Sequence, residues 1–202
     1  LMGKGEKEKK DLYIEGVQNN GIINHYEYII NSEGTIEIRH VLKPEGKMPL
    51  WFPRIGLTLT VSDALDQVKW YGRGPQENYP DRKTGYPMGI YASTVQAMYE
   101  PYLMPQDYGL RTDVRWLQLT TDKGIGLQFK MNEWFNFNIY PYSTDNLTKA
   151  MYTYQLQKQK GMTLNLDYAT TGVGCTARGV FGAYKAMPQE YRRTISIRPM
   201  MK

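Results

Sequence analysis

Apolar residues recur at every second position through most of this chain, and that period admits a half-buried strand but not an amphipathic helix. In Thr35–Val41 the alternation puts Ile36, Ile38 and His40 on one face. Across 55–61, Ile55, Leu57, Leu59 and Val61 oppose Gly56, Thr58 and Thr60. Trp116–Leu119 runs into Asp122-Lys123-Gly124, a turn signal, and 125–131 follows, which predicts a hairpin. The segment 134–140 sets Phe135, Phe137 and Ile139 against Asn136 and Asn138, and strand-like runs at 162–168 and 193–197 complete the set. Asn19-Asn20-Gly21 and Ser32-Glu33-Gly34 mark turns between strands. The pattern predicts an all-β fold, a large antiparallel β-sandwich of a dozen or more strands.

Two segments depart from the period. Residues 144–151 predict a short helix, with Thr144 as its cap and Asp145 near its positive end. The stretch Gly72–Gln106 carries Pro75, Pro80, Pro87, Pro101 and Pro105. Proline has no amide hydrogen for a ladder, so this stretch is predicted to be largely loop. A connection that long inside a compact domain is uncommon and often functional.

At 202 residues the chain is long enough for one large sandwich, predicted over residues 11–202, with 1–10 as a charged end or linker. The 17 tyrosines suit sheets, where a ring packs on the pleat and its hydroxyl stays wet. Sugar-binding proteins share that composition, so Tyr26, Tyr28, Trp51, Phe52, Trp70, Trp116, Trp134, Phe135 and Phe137 are candidate sugar platforms, but their alternating positions assign most of them to the core. The net charge of +5 is scattered rather than gathered in a stripe, which argues against nucleic acid as a partner. Cys175 is the only cysteine, so no intrachain disulfide forms; this fits a reducing compartment without excluding a periplasm. The sequence has no apolar run long enough for a membrane-spanning helix. The start Leu1-Met2-Gly3, followed by the charged run Lys4–Lys10, predicts a fragment of a longer chain.

One segment is more specific. Trp70-Tyr71-Gly72-Arg73-Gly74-Pro75-Gln76-Glu77-Asn78-Tyr79-Pro80-Asp81-Arg82 resembles the W-x-G-x-G-P-x-E-x-Y-x-D-R segment of glycoside hydrolase family 2 β-galactosidases. Tyr99–Arg111 resembles that family's Y-x-x-Y-x-x-P-x-x-x-G-x-R block, and Asp167–Gly174 its D-x-x-x-x-G-x-G loop. The three blocks stand in family order, and the resemblance covers roughly residues 50–200. It implies the family's last domain, a large sandwich similar to galactose mutarotase. The catalytic barrel would lie upstream, in the rest of the parent chain. The parent would take β-galactosides and would form a homo-oligomer.

Retaining glycoside hydrolysis needs two carboxyl groups about 5 Å apart, and the resemblance implies that both come from the barrel. Within this chain Arg73, Glu77, Tyr79, Asp81 and Arg82 are read as an ion-pair and hydrogen-bond network that shapes the proline-rich loop. Neighbouring arginines depress a carboxylate pKa and make it a poor general acid. No catalytic residue, cofactor or metal is expected in this segment. In better-known relatives a Trp a few places after G-x-G stacks on the sugar. That position falls near Gly179 here, which leaves Phe181 or Tyr184 to replace the ring and Arg178 to hydrogen-bond sugar hydroxyls. Two other functions fit the composition or the fold, namely a stand-alone carbohydrate-binding module and an aldose mutarotase. A mutarotase needs a general base, typically His, and the chain has only His25 and His40.

Overall fold

The structure is a computed structural model and describes residues 12–14, 21–174 and 179–201. The charged run Lys4–Lys10, Asn19 and Asn20 of the first turn signal, and Arg178 lie outside the described residues. The strands are β1 (Leu12–Ile14), β2 (Gly21–Ile30), β3 (Ile36–Glu45), β4 (Arg54–Val61), β5 (Gln67–Arg73), β6 (Met88–Thr94), β7 (Arg111–Thr120), β8 (Gly126–Tyr140), β9 (Met162–Thr170) and β10 (Tyr191–Met200). All pairings are antiparallel and run in the order β1-β2-β3-β10-β8-β7-β5-β6, with β9 joining β8 to β4.

The long strand β8 organises this ladder. Its first part pairs with β10, from Gly126↔Met200 to Met131↔Ile195. Its last part pairs with β9, from Asn136↔Asp167 to Tyr140↔Thr163. Strand β7 lines its other edge. This change of partner curls the ladder around one core. Ile38 of β3, Trp70 of β5, Leu117 of β7, Phe137 of β8, Leu164 of β9 and Ile195 of β10 belong to the same buried cluster. The two-residue period therefore does what the sequence predicts, and Phe135, Phe137 and Ile139 all point inward.

Three local features differ from the sequence reading. Ten strands are described rather than a dozen or more, and 125–131 and 134–140, read as two strands, are one in β8. Asn132 and Glu133 make no turn there. Asn132 Oδ1 accepts the Thr194 amide at 3.0 Å and Glu133 pairs with Arg193 at 2.9 Å, so both hold β8 to β10. Inside the proline-rich stretch, 88–94 forms β6, which pairs with β5 along seven residues because its own interior is free of proline. The helix α1 (Thr144–Lys149) is capped by Ser143, whose Oγ accepts the Asn146 amide, and not by Thr144. The predicted 122–124 turn is present, and Gly124 takes the left-handed φ of 80° that closes it.

Replacing the fully buried Leu164 by Ala should cost about 2–5 kcal/mol, read as a lower urea midpoint at unchanged slope. Leu103→Ala, on an exposed loop, should change stability by less than about 0.5 kcal/mol.

Candidate functional site

The three blocks singled out in the sequence meet at one end of the sheet. Trp70 buries its indole completely and donates Nε1–H to the Arg73 carbonyl at 3.0 Å, which fixes where β5 stops. Asn78 then anchors the loop to the second block. Its amide donates to the Leu110 carbonyl, and its Oδ1 accepts both the Thr112 amide and the Thr112 hydroxyl. Arg111 reaches back to the Pro75 carbonyl at 2.9 Å and stacks over the Trp70 ring.

The residues expected to form one loop network divide into three. Glu77, Tyr79 and Arg82 stay together. The buried Glu77 carboxylate accepts the Tyr79 hydroxyl, the Tyr102 hydroxyl and the Gly109 amide, and Arg82 lies 3.6 Å away. Burial and the Glu77 carboxylate push the Tyr102 hydroxyl up to about 12, so it remains a donor. Burial raises the nearby Glu100, and the charge on Glu77 adds to that rise.

Asp81 turns to the third block instead. Its two oxygens accept the amides of Val173 and Gly174 at 3.0 and 2.7 Å. Gly172 permits that approach, because a Cβ there would lie 2.3 Å from the Asp81 carboxyl carbon. The same loop is tied to two other segments. Gly172 donates to the Tyr184 carbonyl, and the Thr171 amide and hydroxyl donate to the Pro53 and Phe52 carbonyls. Of the substrate-bordering candidates, Tyr184 is partly exposed, Phe181 is 64% exposed, and Gly179 takes a φ of 61°.

Arg73 forms the third group. Its Nε contacts Asp113 at 2.6 Å, and Lys83 contacts the other Asp113 oxygen at 2.5 Å. Burial alone would raise the Asp113 pKa, but the bonds from Lys83 and Arg73 outweigh it and hold the group below the usual carboxylate range. Among the described residues Asp113 is the one non-glycine at positive φ, 56°, beside a bulge in β7. Asp113 and Lys83 line a cleft of about 370 Å³ with Asn136, Tyr184 and Trp134. Trp134 is 55% exposed there and carries the Arg115 guanidinium 4.2 Å from its ring, so it is not a core residue. Sequence reasoning missed Lys83 and Asp113. The one available signal was the basic residue directly after the first block.

Behind this end lies a buried polar layer. Strand β9 buries Leu164 and Leu166 on one face and Thr163, Asn165 and Asp167 on the other. Arg54 holds Asp167 at 2.6 Å, Asn138 at 3.1 Å and Asp107 at 3.2 Å. Burial would lower its pKa, but Asp167 and Asp107 more than offset that and raise it. Asn165 bridges Asn138 and the Tyr140 hydroxyl, and accepts from Thr58. His40 is 1% exposed. Its Nδ1 meets the Tyr168 hydroxyl at 2.7 Å and its Nε2 meets Asn24 Oδ1 at 3.0 Å, an arrangement that a ring with a proton on Nε2 satisfies, and burial favours the neutral form. No group of three or more metal-ligating side chains occurs among the described residues.

These features define an antiparallel all-β domain whose motif carboxylates anchor loops rather than stand free. Residues 4–197 match the family described as beta galactosidase small chain, and the chain belongs to that family. It is 38% identical over 147 residues to a β-galactosidase of Priestia megaterium, covering 73% of this chain and 14% of that one. Against a Vibrio cholerae β-galactosidase the identity is 39% over 122 residues, covering 60% and 11%. The chain thus spans about one seventh or less of the length of these relatives. A candidate aldose 1-epimerase from Escherichia coli superposes with a TM-score of 0.40 at 6% identity, over 96% of this chain and 69% of that one.

Gly172→Ala should displace Asp81 and destabilise the domain by about 1–3 kcal/mol, with faster hydrogen exchange at the Val173 and Gly174 amides. His40 supplies a pH test. Burial lowers its pKa from 6.5 to about 4, so the unfolded chain binds the proton more readily than the fold does. Its contribution to stability is complete above 6.5 and is lost as pH falls from 6.5 toward about 4. Urea midpoints should decline across that window. The His40 ring resonance should titrate near its lower end; titration at 6.5 would contradict this picture.

Proposed function

We propose that this chain is the C-terminal domain of a β-galactosidase, non-catalytic by itself, which packs on the catalytic part of its parent and borders the galactoside site. Residues 11–202 would form the domain and 1–10 a charged end or linker. The observation that carries the proposal is an apolar rim around the third block. Segments 50–53, 171–174 and 181–187 are stitched together by the Phe52–Ala186 bridge, the Thr171 and Gly172 amides, and Lys185 over the Trp51 ring. They expose Leu50, Trp51, Val173, Phe181, Tyr184 and Met187. Exposed apolar side chains gathered on joined segments in this way mark an interaction surface. In a chain spanning 14% of a relative, the remainder of the polypeptide is the partner that fits it.

The state of the carboxylates supports the non-catalytic reading. A retaining hydrolase needs one carboxylate free to attack and one carboxylic acid free to give up its proton. Glu77 accepts two hydroxyls and an amide, Asp81 two amides, and Asp113 two cations. His40, one of the two histidines, is buried behind Tyr168, a placement that does not suit the general base of a mutarotase. On this reading Phe181 and Tyr184, with Arg178 and Gly179, lie at the substrate entrance of the whole enzyme, and the segment supplies no cofactor.

The isolated chain should give no turnover of a chromogenic galactoside. Turnover abolished by Glu77→Gln, Asp81→Asn or Glu100→Gln would overturn the proposal. Phe181→Asp should change the stability of the isolated chain by less than about 0.5 kcal/mol, yet lower the galactosidase activity of the full-length parent.

A further inference from the structure

At the opposite end of the β8–β9 ladder, where Tyr140 faces Thr163, lies a second cleft of about 460 Å³. Asp63 and Asp66 of the β4–β5 turn, Tyr99 and Tyr108, and Tyr142 and Gln159 between β8 and β9 line it. The volume lies within the range of about 300–1,000 Å³ typical of small-molecule sites. Tyr99 and Tyr108 belong to the second block, whose last residues, Gly109–Arg111, reach the motif loops; their side chains make none of the loop anchors described above.

The decisive observation is Tyr108. The residue is 2% exposed and is among those lining the cleft, and its hydroxyl has no hydrogen-bond partner among the described residues. Leaving a buried hydroxyl unpaired is unfavourable, whereas a phenylalanine would fill the same space without that penalty. Neighbouring hydroxyls are treated differently, since Tyr140 accepts Asn165 at 3.0 Å and Tyr102 donates to Glu77. Tyr108 is held rigidly, edge-on to Tyr99 at 5.3 Å and tilted against Tyr140 at 5.4 Å. Burial raises its pKa, so the hydroxyl keeps its proton and can donate.

The chemistry of the walls selects the ligand. Tyrosine rings offer apolar faces to C–H groups, as a pyranose requires. Asp63 and Asp66 offer acceptors to vicinal hydroxyls, and Gln159 adds an amide. Two carboxylates on the rim oppose a phosphate or a carboxylate ligand, and Lys158 nearby opposes a simple cation. We infer that this cleft binds a neutral pyranose. The Tyr108 hydroxyl donates to a sugar oxygen, the rings of Tyr99 and Tyr142 cover the C–H faces, and Asp63 and Asp66 accept from hydroxyls. The inference goes beyond the role proposed above and stands or falls separately from it.

The test is an NMR titration of the 202-residue chain with galactose, glucose, lactose and, as a cationic control, choline. Sugar should shift amides at 63–66, 96–99, 108 and 158–162 with a dissociation constant in the millimolar range. Tyr108→Phe should weaken binding about two- to tenfold, the loss of one hydrogen bond, with a melting temperature equal to or above that of the parent chain. Tyr99→Ala should weaken it further, and Trp134→Ala should leave it unchanged. No shift at tens of millimolar sugar would overturn the inference. So would shifts confined to the Trp134 cleft, an unchanged affinity in Tyr108→Phe, or tighter binding of choline than of any sugar.

Discussion

The pairing of Arg54 with Asp167 is the contact on which the rest of this domain rests. Strand β9 is buried on both faces, and one of those faces is polar. A carboxylate taken that far from water is tolerated only when it is paired and its remaining lone pairs are satisfied. Arg54 pairs with both Asp167 oxygens and extends the same guanidinium to Asn138 and Asp107. One side chain thereby joins β4, β8, β9 and the second block. Remove the guanidinium and Asp167 becomes a lone buried charge, so the β4–β9 pairing and the polar layer depend on each other.

The same logic repeats outward from that layer. Each anchor at the motif end joins residues far apart in sequence: Arg54 and Asp167 are 113 positions apart, Asp81 and Gly174 are 93, and Arg73 and Asp113 are 40. Contacts of this range form only after strands have paired, because loop closure must come first. The loops at this end are therefore fixed by the completed sheet and not by their own local preferences. That explains how a segment with five prolines keeps one shape. Its backbone donors and acceptors find partners across the domain, as Asn78 does with Leu110 and Thr112.

This division also decides what the sequence could disclose. The two-residue period is a local property, and it located the core faces of β3, β4 and the second half of β8; on β9, buried on both faces, it could single out no core face. The choice of partner is not local. Nothing between 131 and 134 says that Asn132 will bond the β10 backbone instead of making a turn, so β8 was read as two strands. Prolines around 88–94 concealed β6, since what matters is their absence within the strand. The charged residues of the first block were read as one network, because charge spacing cannot reveal that Asp81 faces residue 174 and Arg73 faces Asp113. Ser143 displaced Thr144 as cap by one position, within the ordinary uncertainty of helix ends.

What the domain leaves unsatisfied is as informative as what it satisfies. Its motif carboxylates are saturated by amides, hydroxyls and cations, so their pull is directed inward. Two of the demands left unmet among the described residues lie at opposite ends of the β8–β9 ladder. At the motif end, Leu50, Trp51 and Phe181 stand in water around a loop fixed by Asp81. At the far end, Tyr108, one of the residues lining a cleft, leaves its buried hydroxyl without a partner among the described residues. An apolar rim is relieved by covering it with another apolar surface, and extended contact of that sort suits polypeptide. A single orphaned donor between aromatic rings is relieved by one small polar molecule that also presents an apolar face. The two ends therefore call for different kinds of partner, and the polar layer between them holds both in fixed relation.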